Sequence, residues 1–204
     1  MLVALLTFTV AATLIVLLPG PDTLVVLRSI ARGGRPVAAR TAAGILVGLT
    51  VWVGVAALGL AAVLRASEVA YEVLRVAGAI YLVWLGVQSL RSLRRAASAS
   101  ASERRSLVGT GFVAGLVTNL LNPKVGVFFV TFLPGFVPRG YAVGTTPLLF
   151  GALFIVLSVA YYAAVLAAAG MVAEWTSRPS VRRRMDALTG AVLIGFGARL
   201  VTES

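Results

Sequence analysis

The sequence predicts an all-α membrane protein, built as six transmembrane helices in two inverted three-helix repeats, with helices 1 and 4 broken. Three observations lead there. The composition is too apolar for water, two helix breaks with ionisable side chains fall inside apolar stretches, and the two halves match around those breaks.

Of 204 residues, 59% are hydrophobic and only 12% charged, with a mean hydropathy of +0.98. Soluble domains carry about 25% charged residues. A net charge of +11 would suggest nucleic acid for a soluble protein. Here the arginines lie in short connections between apolar spans, where they set orientation, and no nucleic-acid partner is expected. The chain has no cysteine and no histidine. That excludes disulfides, thiol catalysis, zinc sites of the usual ligands, haem ligation and histidine relays. Of seven acidic residues, only Asp22 falls well inside a span, so neither a multivalent-metal carrier nor a membrane enzyme is supported. No phosphate-binding Gly-x-x-x-x-Gly-Lys-Ser/Thr run is present, so no ATP site and no cofactor are expected.

Residues 2–18 are uninterrupted apolar or hydroxyl residues, about 25 Å as helix. There is no basic n-region and no convincing cleavage site, so they read as an uncleaved first span. Pro19-Gly20-Pro21-Asp22 breaks this span, and a short second half runs to Ile30. A basic turn, Arg32-Gly33-Gly34-Arg35-Pro36, leads to span two, Thr41 to Leu64, which is free of charge. Its Gly44-x-x-x-Gly48 spacing lets helix backbones approach closely. Span three covers about Val69 to Leu90. The stretch Leu107 to Val137 is too long for one straight span, about 46 Å against a core of about 30 Å. It is broken at Asn122-Pro123-Lys124 and again at Pro134-Gly135, so the fourth span is two segments that need not be coaxial. Span five runs from about Val143 to Ala173, with Pro147 in its first turn, and span six from about Ala187 to Val201.

The low-complexity Ser/Ala linker at 93–106 separates a first repeat, 1–92, from a second, 107–204. Gly20-Pro21-Asp22 aligns with Asn122-Pro123-Lys124, and Gly78-Ala79-Ile80-Tyr81-Leu82 with Gly190-Ala191-Val192-Leu193-Ile194. An odd number of spans per repeat turns the second copy upside down, as in many secondary carriers. The connections 1–2, 3–4 and 5–6 hold 13 arginines and the opposite side 4. That places those connections in the cytoplasm and both termini outside, in a multi-pass membrane protein.

In hydrocarbon a proline frees backbone carbonyls and a charge costs several kcal/mol. A span carries both at one depth when that depth lines a cavity. Asp22 either caps the half-helix that follows the break or serves as an ammonium-binding, protonatable carboxylate. Lys124 either neutralises Asp22 or joins it around one cavity to read both ends of a zwitterion, with half-helix amides beside it. Asn119 and Asn122 either satisfy carbonyls freed by Pro123 or contribute to the site. Pro19, Gly20, Pro21 and Pro123 shape the breaks. Tyr161, Tyr162 and Gln88 are weaker candidates, and Trp52, Trp84 and Trp175 read as packing or interfacial residues.

Leu18-Pro19-Gly20-Pro21-Asp22, Gly33-Gly34, Gly44 and Gly48, then Gly115-x-x-x-Asn119-x-x-Asn122-Pro123-Lys124, Phe128-Phe129 and Pro134-x-Phe136 carry a resemblance. Across nearly its whole length the chain resembles the lysine exporter/threonine–homoserine exporter (LysE/RhtB-type) family of bacterial amino-acid efflux carriers. The resemblance implies export of an amino acid or derivative from the cytoplasm, with protons as coupling ion. A carrier of this fold for an ion or organic cation, and a non-transporting membrane subunit, are the alternatives. Glycine-rich faces on spans two and four are compatible with a homodimer and equally with packing inside one chain.

Overall fold

The computed structural model describes residues 1–66 and 109–169 except 139, 143 and 144, with scattered single positions in 69–87 and 187–198. The linker 93–106 and nearly all of the predicted third and sixth spans lie outside the described residues. All regular structure among the described residues is helical.

Helix α1 (Leu2–Leu17) stops where Leu18 turns extended (φ −72°, ψ 110°), because Pro19 disfavours helical backbone in the residue before it. Helix α2 (Pro21–Ala66) starts on a proline, which costs nothing in a first turn, and divides at Gly34. Gly34 has φ 68° and ψ −169°, a conformation that residues with a Cβ rarely adopt. Thr41 Oγ1 lies 2.8 Å from Ser29 Oγ. Twelve residues of continuous helix would separate them by about 18 Å, so the arms α2a (21–33) and α2b (35–66) fold back on each other as a hairpin. The sequence predicts a five-residue basic turn at 32–36. The observed turn is one glycine, with Pro36 in the first turn of α2b. Arg28, Arg32 and Arg40 therefore lie on helix and not in a connecting loop.

Helix α3 (Phe112–Leu120) and helix α4 (Pro123–Val127) flank the second break, and α4 continues through a π-helical turn (Phe128–Phe132) and a 3-10 turn (Leu133–Phe136). The two segments bend by 53° at the break, the non-coaxial pair that the sequence predicts. At Pro134-Gly135 the helix tightens without breaking, and it ends at Val137 in extended backbone. Helix α5 (Thr146–Ala167) has Pro147 in its first turn, as predicted, and falls inside the expected span, whose residues 143, 144 and 170–173 lie outside the described residues.

Small residues set the spacing of α2b on α3. A Cβ on Gly44 would collide with the Phe112 carbonyl, and one on Gly115 with that of Thr41. The Gly44-x-x-x-Gly48 face is thus used for packing within the chain. Thr41 holds the same corner, since its hydroxyl accepts from Gly111 N at 3.0 Å. On the far side of the bundle, seven of the nine phenylalanines gather. Phe8 of α1 stacks on Phe150 of α5 (4.8 Å between ring centres) and meets Phe136 edge-on (5.3 Å), while Phe128 packs on Phe154 (4.9 Å). Rings that bury 150–250 Å² each dominate a core of this size.

Large apolar side chains point outward along the helices, Leu2, Leu6 and Val10 on α1 and Val156 and Val159 on α5 among them. Surfaces of that extent meet lipid, not water. The helix α5, the α2b arm and the bent α3–α4 pair are long and apolar enough to cross a membrane. The protein is an all-α membrane protein.

Candidate functional site

The two breaks meet. Pro19 and Gly20 end α1 without completing its hydrogen bonds, which leaves carbonyls at the helix C-terminus in need of donors. Lys124, one residue inside α4, supplies them: its Nζ donates to Ile15 O at 2.8 Å and Leu18 O at 2.7 Å. The negative end of the α1 dipole favours a cation at that point. An ammonium has three N–H donors, so one remains. Gly20 packs beside this ammonium, where a Cβ would meet it at an ordinary contact distance of 3.7 Å.

Asp22 lies in the first turn of α2a and is 8% exposed. Its Oδ2 accepts from Asn119 Nδ2 at 2.7 Å, while Oδ1 is buried without a partner. This is not a helix cap, since the bond it makes is to a side chain of another span. Among the described residues no hydrogen bond joins Asp22 to Lys124, whose two observed bonds go to backbone carbonyls. Both line one cavity of about 30 Å³, together with Gly20, Asn122, Ser158 and Tyr162. That volume holds roughly one water molecule.

Asn119 is fully buried behind Asp22 and does not line the cavity. Its seat depends on Gly48, where a Cβ would come within 2.5 Å of Asn119 Oδ1. Asn122 caps α4, its Oδ1 accepting from Lys124 N at 3.1 Å, and its side chain also faces Asp22. Of the two readings open for these asparagines, neither side-chain bond goes to a carbonyl freed by Pro123. The Asn119 carbonyl itself is satisfied by Trp52 Nε1 at 3.3 Å, so Trp52 is a hydrogen-bond donor as well as a packing residue. Pro19, Pro21 and Pro123 set the backbone of the breaks and do not line the cavity. Tyr161 reaches Thr23 (3.2 Å between hydroxyl oxygens), and Gln88 lies outside the described residues.

A buried carboxylate with a free oxygen and a half-buried lysine thus line one cavity between the broken helices. The LysE type translocator family model matches residues 13–204. The chain belongs to that family. Its members are translocators, and the protein is a transporter, not an enzyme. The chain is 34% identical to an uncharacterized membrane protein of Pseudomonas aeruginosa, covering 97% of this chain and 94% of that one. It is 32% identical to the threonine efflux protein of Escherichia coli (strain K12), covering 98% of each. With the leucine efflux protein of Klebsiella pneumoniae it shares 30% identity over 97% of this chain and 94% of that one. No solved structure matches the chain.

Sequence reasoning missed Ser158 and Thr23. A serine one turn from Tyr162 in an otherwise apolar span was the available signal. The bond from Lys124 to the end of α1 had no signal, because it joins residues 106 and 109 apart.

Proposed function

We propose that this translocator exports a small neutral amino acid, of the kind named for its threonine and leucine efflux relatives, from the cytoplasm. One observation carries the reading. The unpartnered Asp22 oxygen and the Lys124 ammonium face the same cavity at two helix breaks. The solute's ammonium binds Asp22 Oδ1, and its carboxylate binds the remaining Lys124 donor.

The mechanism follows from what holds Lys124. An incoming carboxylate competes with Ile15 O and Leu18 O for the same ammonium. As those bonds yield, the end of α1 is released, so solute binding loosens the joint between the halves. A cavity of about 30 Å³ cannot hold an amino acid, and the broken segments must part to admit one, which is alternating access at a site near mid-membrane. In the empty carrier a proton on Asp22 takes the place of the ammonium, coupling export to the proton gradient. Six spans in two inverted repeats (1–92 and 107–204), with Arg-rich connections in the cytoplasm and both termini outside, complete the account. The matched breaks and the arginine distribution support it.

The test is efflux of an amino-acid panel from loaded proteoliposomes, with and without a pH gradient. Gradient-dependent export of a neutral amino acid is expected. Export indifferent to imposed gradients would remove the proton, and no amino-acid flux from folded protein would remove the substrate.

A further inference from the structure

Arg28 has no part in the cavity just described. Read from the sequence it belongs to a cytoplasmic connection, yet it lies on α2a, six residues before the Gly34 turn and about 9 Å along the helix from Asp22. An arginine at such a depth is expensive unless something occupies it. Among the described residues it has neither a carboxylate nor a hydrogen-bond partner. It is half-buried. It lines a groove of about 340 Å³ between α2a and the α3–α4 break, whose walls are Leu24, Val25 and Arg28 on one side and Thr118, Leu121 and Asn122 on the other. The volume is that of a small-molecule site.

Asn122 is the connecting element. It is the one residue that lines both the groove and the inner cavity. It caps α4 through Lys124 N and faces Asp22. A solute in the groove is therefore one side chain away from the Asp22–Lys124 cavity. It lies on the Gly34 side, the side proposed above as cytoplasmic.

We infer that the groove is an entry subsite in which Arg28 binds the carboxylate of the amino acid before it passes Asn122 into the inner cavity. This rests on the amino-acid reading of the inner site. Guanidinium suits the role, since its planar fork pairs a carboxylate through two parallel bonds. Leu24, Val25 and Leu121 give the groove an apolar wall for the solute's side chain. Thr118, one helical turn before Asn122, adds a hydroxyl.

The test uses the full chain in proteoliposomes, measuring initial export rate against the concentration of whichever neutral amino acid the wild type exports. Arg28→Gln is expected to raise KM roughly tenfold, the loss of one charge-assisted contact, with maximal rate within about twofold. Arg28→Lys should recover most of the affinity. Leu121→Trp, which fills the groove without changing charge, should raise KM as Arg28→Gln does. Inhibition by the matching amino-acid amide, which lacks the carboxylate, should be the same in wild type and Arg28→Gln. An unchanged KM in Arg28→Gln and Leu121→Trp overturns the subsite. So does a KM rise that wild type also shows in vesicles without anionic lipid, because Arg28 would then serve a lipid phosphate. If wild type exports no amino acid, or Asp22→Asn exports normally, the inner-site reading fails. If export is intact and Asp22-dependent while Arg28→Gln is silent, only the subsite fails.

Discussion

Gly48→Ala probes the wall behind Asp22 without touching an ionisable group. The added Cβ would sit 2.5 Å from Asn119 Oδ1 and 3.0 Å from its Cβ and Cγ, where ordinary contact begins at 3.4 Å. Asn119 must then retreat by about 0.9 Å, and its backbone has little room, because Gly115 of the same helix already abuts Thr41. The hydrogen bond at stake is the 2.7 Å contact from Asn119 Nδ2 to Asp22 Oδ2, and a lengthening of that size takes it outside hydrogen-bond range. Overpacking costs about 1–3 kcal/mol, and a lost bond to a charged group about 1.5–3 kcal/mol, so the variant should lose about 2.5–6 kcal/mol. Gly54→Ala is the matched control, since its Cβ would meet nothing within 4 Å. There alanine should be neutral or stabilising by up to about 1 kcal/mol. The assay is reversible unfolding in mixed micelles, read beside solute export. In an Asn119→Ala background Gly48→Ala should cost at least about 1 kcal/mol less than alone, because the bond and the Oδ1 and Cγ contacts are gone and only the 3.0 Å contact with Cβ remains. Equal stability and export for Gly48→Ala and Gly54→Ala would refute the reasoning.

Two further perturbations read other joints. Lys124→Met leaves Ile15 O and Leu18 O without their donor, and should cost about 1–3 kcal/mol per buried carbonyl; amide hydrogen exchange should then rise at the C-terminal end of α1, and an unchanged pattern would contradict the bond. Thr41→Val removes both the Ser29 contact and the acceptor for Gly111 N, and should lower stability in the same unfolding assay by about 1–3 kcal/mol, while Thr50→Val, whose hydroxyl is exposed and bonds only its own helix, should change it by less than about 0.5 kcal/mol.

Where the sequence was legible, the physics was local. Proline acts on its own helix and on the residue before it, so the ends of α1 and α3 could be placed from Pro19 and Asn122-Pro123. Gly44 and Gly48 were readable as a close-packing face, because a missing Cβ has one main use in a span. The pairing of side chains was not legible. Lys124 could equally have met Asp22, and only the assembled bundle shows its ammonium on the α1 carbonyls. Asn119 had two readings, a partner for freed backbone or a part of the site; in the fold its amide reaches another span. The turn at Gly34 was overestimated for a related reason: arginines and glycines together resemble a loop, yet a single positive φ reverses the chain and leaves the arginines on helices. Arg28 changed meaning with it. The phenylalanine cluster has no helical period of its own, since it draws on α1, the second broken span and α5.

The most direct measurement of the central claim is equilibrium binding of threonine and leucine to the purified carrier, set against each one's amine and acid analogues. Wild type should bind the zwitterion and neither single-charge analogue, Asp22→Asn should lose the distinction from the acid, and Lys124→Met the distinction from the amine. Variants that bind the zwitterion as wild type does, with selectivity intact, would contradict a site built from Asp22 and Lys124.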